Sequence, residues 1–393
     1  MKNFKHILGM SAILVMGTSF GCETKKNPEI HTRIITQMHS EERTAPERVV
    51  KIALLLDTSN SMDGLIDQAK AQLWDIVNKF AYVKCADNSR PGLKIALYEY
   101  GNDHLSPNEG YIKQVMGFSS DLDEISEKLF SLTTNGGEEY CGQVIQTSLD
   151  QLEWGKNGDD LKMVFIAGNE PFDQGKTDYR KAASHAKEKD IIVNTIFCGD
   201  YGQGIETNWK SGAEITGGEY SAIDHNRQIV HINTPYDEVI IKLNSRLNGT
   251  YISYGYMGEA KMQQQEQQDS NANSLDEVVM VKRAVSKSSR LYENANWDLV
   301  DASGKKDFKV ADIQKKDLPM ELRTKSDSEL KEYITAKKAE RTKIQEEIRE
   351  LNNKREAYLV QHQSNNADGD LENALMIAIK KQALKRNYTW GSE

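Results

Sequence analysis

Residues 48–250 are predicted to form an α/β fold, a doubly wound and mostly parallel sheet, followed by a mainly helical C-terminal region over 254–393. Three observations predict it. Apolar runs of strand length recur at 49–56, 93–100, 161–167 and 191–197, as expected of strands buried on both faces. Between them, apolar residues recur at the three- and four-residue spacing of helices. Strand and helix therefore alternate, which implies crossover connections and helices on both faces of a parallel sheet.

The elements follow in order. Residues 49–56 give the first strand, and Leu65, Ile66, Ala69, Leu73, Ile76, Val77 and Phe80 mark one face of the first helix. A second strand at 93–100 and a shorter one at 111–116 come next. Helical spacing returns in Leu122, Ile125 and Leu129, then in Val144, Ile145, Leu149 and Leu152. A buried strand at 161–167, a helix at 178–189 and a strand at 191–197 follow. Residues 218–223 make the last strand and 236–247 the helix after it.

Beyond residue 254 the texture changes. Residues 261–274 are polar and of low complexity, a linker or a solvated helix. Ser274 with Glu277, and Ser326 with Glu329, have the spacing of capping boxes. The second starts a long charged helix over 326–360. Its heptad-like stripe of Leu330, Ile334, Ile344, Ile348, Leu351 and Tyr358 is interrupted by Lys337, Arg341 and Arg355. These interruptions argue against a strict coiled-coil dimer and for an intramolecular hairpin, with 371–384 as the partner helix. The segment Trp297-Asp298-Leu299-Val300 is expected to dock on the body of the protein.

The 393 residues allow one large domain with an appendage, or two domains. The net charge of −9 is spread along the chain with no basic run, so nucleic acid is not an expected partner. At the N-terminus, Lys2 and Lys5 precede an apolar stretch over 7–15, too short to span a bilayer as a mature helix. Small residues then lead to Ser19-Phe20-Gly21-Cys22. This resembles a bacterial lipoprotein signal, which implies cleavage before Cys22 and acylation of that cysteine. The alternative is an ordinary secretory peptide. Residues 1–22 would be the signal and the polar residues 23–47, with Pro28 and Pro46, a tether. The protein would then sit in the bacterial cell envelope, held to a membrane through lipid on its periplasmic face or at the cell surface.

The stretch Leu54-Leu55-Leu56-Asp57-Thr58-Ser59-Asn60-Ser61 ends a buried strand in oxygen atoms two residues apart. In open parallel sheets that edge is where ligands sit. A hard cation such as Mg²⁺ wants six oxygens in near-octahedral array. Ser59 and Ser61 can bind it without adding charge, and Asp57 can do so through water.

Asp57-x-Ser59-x-Ser61, between a buried strand and an amphipathic helix, resembles the metal-ion-dependent adhesion site of a von Willebrand factor type A domain. The resemblance covers residues 48–250. It implies a Rossmann-like sheet, Mg²⁺ (or Mn²⁺) as cofactor, and a protein partner that offers a carboxylate to an open coordination position. It also implies a threonine from a second loop and an aspartate from a third. The second loop, Thr133-Thr134-Asn135-Gly136-Gly137-Glu138-Glu139, has a glutamate where the threonine belongs. The third, Gly168-Asn169-Glu170-Pro171, has Asn169 in place of the aspartate. The formal charge is conserved if Glu138 or Glu139 points inward. The alternative is a degenerate site that kept the fold and lost the ion. Glu170 is a further oxygen donor, more simply read as exposed or capping the next segment.

Three cysteines follow Cys22. Cys141 comes just after the second loop, and Cys198 ends the strand after the third. Both are expected near one rim, as a disulfide or as two separate buried thiols; Cys85 belongs at the opposite side. Gly175-Lys176-Thr177 lacks the earlier glycine of a phosphate-binding loop, since residue 170 is glutamate. The histidines show no metal-ligand spacing, and no serine has a nucleophile-elbow context. The expected function is therefore non-enzymatic protein binding at a divalent-metal site. The alternatives are a scaffold acting through its C-terminal helices with a vestigial ion site, and a metal-assisted hydrolase. The hydrolase is disfavoured because no histidine or lysine base stands near the loops.

Overall fold

The computed structural model describes residues 48–226, 232–362 and 371–390. The signal segment 1–22 with Cys22, and the tether 23–47, lie outside the described residues.

The first half alternates as predicted: β1 (Val49–Asp57), α1 (Asp63–Phe80), β2 (Val83–Lys84), β3 (Gly92–Tyr100), β4 (Ile112–Ser119), α2 (Leu122–Phe130), α3 (Cys141–Gln151), β5 (Leu161–Gly168), α4 (Tyr179–Glu188), β6 (Ile192–Cys198), α5 (Tyr201–Glu206), α6 (Trp209–Glu214), β7 (Tyr220–Ile223) and α7 (Asp237–Asn248). The main sheet has the order β4-β3-β1-β5-β6-β7. Every neighbouring pair is parallel except β3 and β4. Alternate residues of β1 feed two cores. Val50, Ile52 and Leu56 join the apolar cluster under α1 and α2, and Ala53 and Leu55 join the one under α3, α4 and α6. Burial on both faces is why β1 reads as an unbroken apolar run.

The C-terminal region is helical: α8 (Gly258–Leu275), α9 (Glu277–Lys287), α10 (Leu299–Ala302), α11 (Asp327–His362) and α12 (Leu371–Lys385), closed by a short strand β8 (Thr389–Trp390) that pairs with β2. It is not a separate appendage, because residues 47–393 form one compact unit. Helices α8 and α9 pack as a second layer on α1 and α2, and α12 lies beside α1 on the sheet itself.

Several expectations change here. Residues 261–274 are helix and not linker: they lie within α8, which is exposed on one side and buries Gln265, Gln268 and Asp269 on the other. Ser274 does not cap the next helix. Its hydroxyl donates to the Ser270 carbonyl at 2.8 Å, and Asp276 caps α9 by accepting from the Val278 N–H at 2.7 Å. The Ser326–Glu329 box does form, with reciprocal bonds of 2.8 and 3.3 Å. Trp297 docks as expected, stacked on Tyr251 at 5.8 Å.

The basic residues that interrupt the α11 stripe are what fix α11 in place. Arg341 is buried and donates to Asp298 at 2.6 Å and Asp301 at 2.7 Å, while Arg355 pairs with Asp237 at 3.0 Å. Lys337 reaches the Gly249 carbonyl at 3.1 Å. The stripe therefore faces its own chain: Leu330 and Ile334 cluster with Leu299 and Val300 of α10, and Ile344 and Ile348 join the core to which α7 and α9 contribute. The predicted hairpin partner goes elsewhere: α12 packs on α1, β6 and β7. The Leu371 and Glu372 N–H groups at its start donate to Gln68 and Gln72 of α1 at 3.2 and 2.7 Å.

The two layers are joined by a buried charged network. Arg283 of α9 pairs with Asp269 of α8 at 2.6 Å and Asp123 of α2 at 2.8 Å, and lies over the Trp74 ring of α1. Lys287 pairs with Asp269 at 3.0 Å. Asn244 and Asn248 of α7 donate to the same carboxylate at 2.8 and 2.7 Å. Tyr292 donates to Asp123 at 2.6 Å. Two cations and two carboxylates balance, which is the condition under which buried charge is tolerated.

Candidate metal centre

Strand β1 ends at Asp57, and the chain turns through Ser59 and Ser61 into α1. Asp57 and Ser59 are buried and Ser61 is exposed. The Ser59 N–H donates to Asp57 Oδ1 at 2.7 Å, which fixes the carboxylate, and the Ser59 and Ser61 hydroxyl oxygens are 3.3 Å apart. Asp57 Oδ2 is buried and accepts no hydrogen bond.

The second loop joins α2 to α3. It brings Glu139 inward and leaves Glu138 exposed, where it accepts from Gln174 at 3.4 Å. Glycine decides this. Gly101 has φ +77°, and a Cβ there would stand 2.7 Å from Glu139 Cγ and 2.9 Å from Asp57 Oδ1. The two carboxylate side chains thus flank one point in space. Gly137 lies on Gly101 so closely that a Cβ would meet the Gly101 carbonyl oxygen at 2.5 Å. Neither contact can form with a larger residue at those positions.

The third loop leaves β5 at Gly168. Asn169 Nδ2 donates to Ser61 Oγ at 3.1 Å. Its Oδ1 is buried without a partner. Glu170 is exposed, close enough for its charge to act on both Asp57 and Glu139. The structure therefore brings together Asp57, Ser59, Ser61, Glu139 and Asn169 of the predicted set, and Glu138 stays outside it.

Two residues absent from the predicted set hold the loops. Asn102, buried just after β3, donates to the Thr133 carbonyl at 2.9 Å and the Thr58 carbonyl at 3.3 Å, tying first loop to second. Tyr100 donates to the Ala167 carbonyl at 2.9 Å and supports the third. The only sequence signal for either was their place at the carboxyl end of a buried strand.

Of the two readings for Cys141 and Cys198, separate buried thiols is the one that holds. Cys141, Cys198 and Cys85 are all buried free thiols. Cys141 begins α3 and belongs to the core on that face of the sheet. Cys198 points into the opposite core beside Ile196. The sheet separates them.

Burial raises the Asp57 carboxyl to about 7, with the Glu170 charge adding and the Ser59 hydrogen bonds opposing. Burial, then the charges of Asp57 and Glu170, raise Glu139 to about 8. Two buried carboxyls facing each other, with orphaned acceptor oxygens beside two hydroxyls, form a donor set that suits a hard divalent cation. Among the described residues no group of three His, Cys, Asp or Glu side chains is placed to hold an ion. The set relies on hydroxyl and amide oxygens beside its two carboxylates.

The von Willebrand factor type A domain profile matches residues 51–215. That stretch is a type A domain. The match covers the metal loops and the sheet as far as β6, and β7 and α7 complete the layer. A search of curated proteins gave no match. Among solved structures, the domain is similar to the conserved hypothetical protein BatB from Bacteroides thetaiotaomicron, at 15% identity and TM-score 0.34 over 44% of this chain and 90% of that one. It is similar to an aerotolerance-related membrane protein from Bacteroides fragilis, at 16% identity and TM-score 0.31 over 44% and 92%. It is also similar to proximal thread matrix protein 1 of the mussel byssus with a zinc-occupied MIDAS motif, at 14% identity and TM-score 0.35. This chain spans 41% of the mussel protein's length, and 45% of this chain is covered. The assignment rests on the profile and the topology, not on these likenesses.

Proposed function

We propose that the chain is a non-enzymatic binding protein of the bacterial cell envelope, held to a membrane by acylated Cys22 and the 23–47 tether. Its type A domain would hold Mg²⁺ or Mn²⁺ at Asp57, Ser59, Ser61, Glu139 and Asn169. The ion would present an open position to a carboxylate on a protein partner. The observation that carries this reading is the convergence of two buried carboxyls, Asp57 and Glu139, from separate loops on one point beside Ser59 and Ser61. Glu139 replaces the neutral threonine and Asn169 the charged aspartate, so the formal charge of the ligand set is unchanged.

The surroundings narrow the partner. The four loops at 57–63, 101–104, 133–140 and 168–170 contain Asp57, Asp63, Asp103, Glu138, Glu139 and Glu170, and neither lysine nor arginine. A divalent ion leaves this rim negative, so the partner's carboxylate would need lysine or arginine beside it to approach. The apolar stripe of α11 is buried inside the chain, which counts against a scaffold working through that helix.

Crosslinking in cells followed by mass spectrometry tests the reading. Wild type should capture a protein that Ser59→Ala does not, joined through an acidic residue with basic neighbours. Identical capture by both would refute it.

A further inference from the structure

Glu138 is the acidic residue of the second loop that stays outside the ligand set. It is exposed, and among the described residues its hydrogen-bond partner is the neutral Gln174 amide, at 3.4 Å. It joins no ion pair there, and Lys176, exposed two residues beyond Gln174, does not pair with it either. An exposed carboxylate is by itself ordinary. This one stands beside a pair of tyrosines, Tyr140 two residues on and Tyr111 just before β4. Both are half-buried, with ring centroids 6.2 Å apart and planes inclined at 60°.

Both rings are held in place. A Cβ at Gly175 would stand 2.6 Å from Cδ1 of Tyr140, so the backbone of that loop packs on the ring. Tyr111 has φ +55°, a left-handed conformation that an aromatic residue seldom adopts. Its carbonyl accepts from the Gly101 N–H at 3.0 Å, which ties it to the glycine that Asp57 and Glu139 flank. Burial, then the charges of Glu138, Tyr111 and Glu139, raise the Tyr140 hydroxyl above its ordinary value, so Glu138 is the charge that Tyr140 feels most. Inclined rings make a wedge whose mouth lies within about 6 Å of both centroids, the range over which a ring face attracts a cation. A guanidinium suits it best, because its plane stacks on a ring while its fork binds a carboxylate. The four loops of the rim supply no lysine or arginine of their own. Glu138 and Glu139 are adjacent, one facing the wedge and one the metal centre, so a single short stretch of a partner reaches both.

We propose, resting on the metal reading above, that Tyr111, Tyr140 and Glu138 clamp an arginine of the protein partner beside the carboxylate that the ion takes. Short glycine–serine peptides test it. Each carries one glutamate and, about two residues away so that both face one side of an extended chain, either arginine or citrulline, which keeps the shape without the charge. Fluorescence anisotropy measures their binding to the full Cys22→Ser chain with and without Mg²⁺. The arginine peptide should bind about tenfold more tightly than the citrulline peptide, and Glu138→Gln and Tyr140→Leu should each narrow that gap. Circular dichroism checks that both variants fold; leucine keeps bulk against Gly175. The Mg²⁺ dependence reads the metal centre and the arginine dependence reads the clamp, so the two can fail apart. Binding that arginine strengthens and Mg²⁺ does not alter supports the clamp and counts against the metal reading. Mg²⁺-dependent binding that is blind to citrulline, a gap that both variants leave intact, or no binding by either peptide overturns the clamp.

Discussion

Asp269→Ala is expected to destabilise the chain by about 3–5 kcal/mol, a large share of the ~5–15 kcal/mol typical of a folded protein. Asp269 is the shared acceptor of Arg283, Lys287, Asn244 and Asn248. Burial alone would raise its carboxyl, but Lys287, Arg283 and the two asparagine amides override that and hold it below the ordinary carboxylate range. Removing it leaves two fully buried cations facing Asp123 alone, which costs far more than breaking an exposed pair. Chemical denaturation measures the loss, and the Glu238→Ala change at the exposed Lys242 pair should leave the midpoint unmoved. Because α7, α8 and α9 all meet at Asp269, the metal loops should become more mobile although the substitution lies far from them. A loss no larger than that of Glu238→Ala would mean that α8 and α9 are held by apolar contacts alone.

The second large effect is in pH. Asp57 near 7 and Glu139 near 8 are protonated at mildly acid pH, and an ion must displace those protons. Affinity for Mg²⁺ should therefore rise steeply from pH 6 to 9, by up to tenfold per pH unit for each proton released. Glu139→Gln removes one of the two protons, so it should lower the affinity and flatten the profile. The metal-free protein should show the opposite trend in stability. A carboxyl whose pKa is raised on folding makes the folded state bind more protons than the unfolded chain. Stability then falls as pH rises from the ordinary carboxyl range near 4 through 7–8, and excess Mg²⁺ should restore it. Melting temperatures at about pH 5.5 and 8.5, two points on that falling slope, with and without the ion, give the comparison. A metal-free protein equally stable at both would show that the two carboxyls are not held face to face.

Much of the sheet was legible because burial on both faces writes an apolar run into β1, β3 and β5. Asp57, Ser59 and Ser61 were legible because the strand ends there. Other features depend on contacts that no local pattern carries. Whether Glu138 or Glu139 turns inward is set by Gly137 resting on Gly101, a pairing of distant loops. The faces of Cys141 and Cys198 follow from strand parity and from which side α3 covers. Proximity to one rim does not specify either. Helix α8 has no apolar stripe to read. It is held by polar side chains satisfied inside the protein, such as Gln268 accepting from Ser126 at 2.9 Å and Gln265 donating to Tyr292 at 2.8 Å. The basic residues of α11 looked like breaks in a stripe because their partners, Asp298, Asp301 and Asp237, lie tens of positions away.

Titration of the folded chain with Mg²⁺ and Mn²⁺ by calorimetry at about pH 8, where Glu139 is half ionised, reaches the candidate metal centre most directly. Saturable uptake at a single site, abolished in Asp57→Ala and weakened in both Glu139→Gln and Ser59→Ala, is the expected result. No heat of binding from the wild type, or uptake that Asp57→Ala leaves intact, would contradict it.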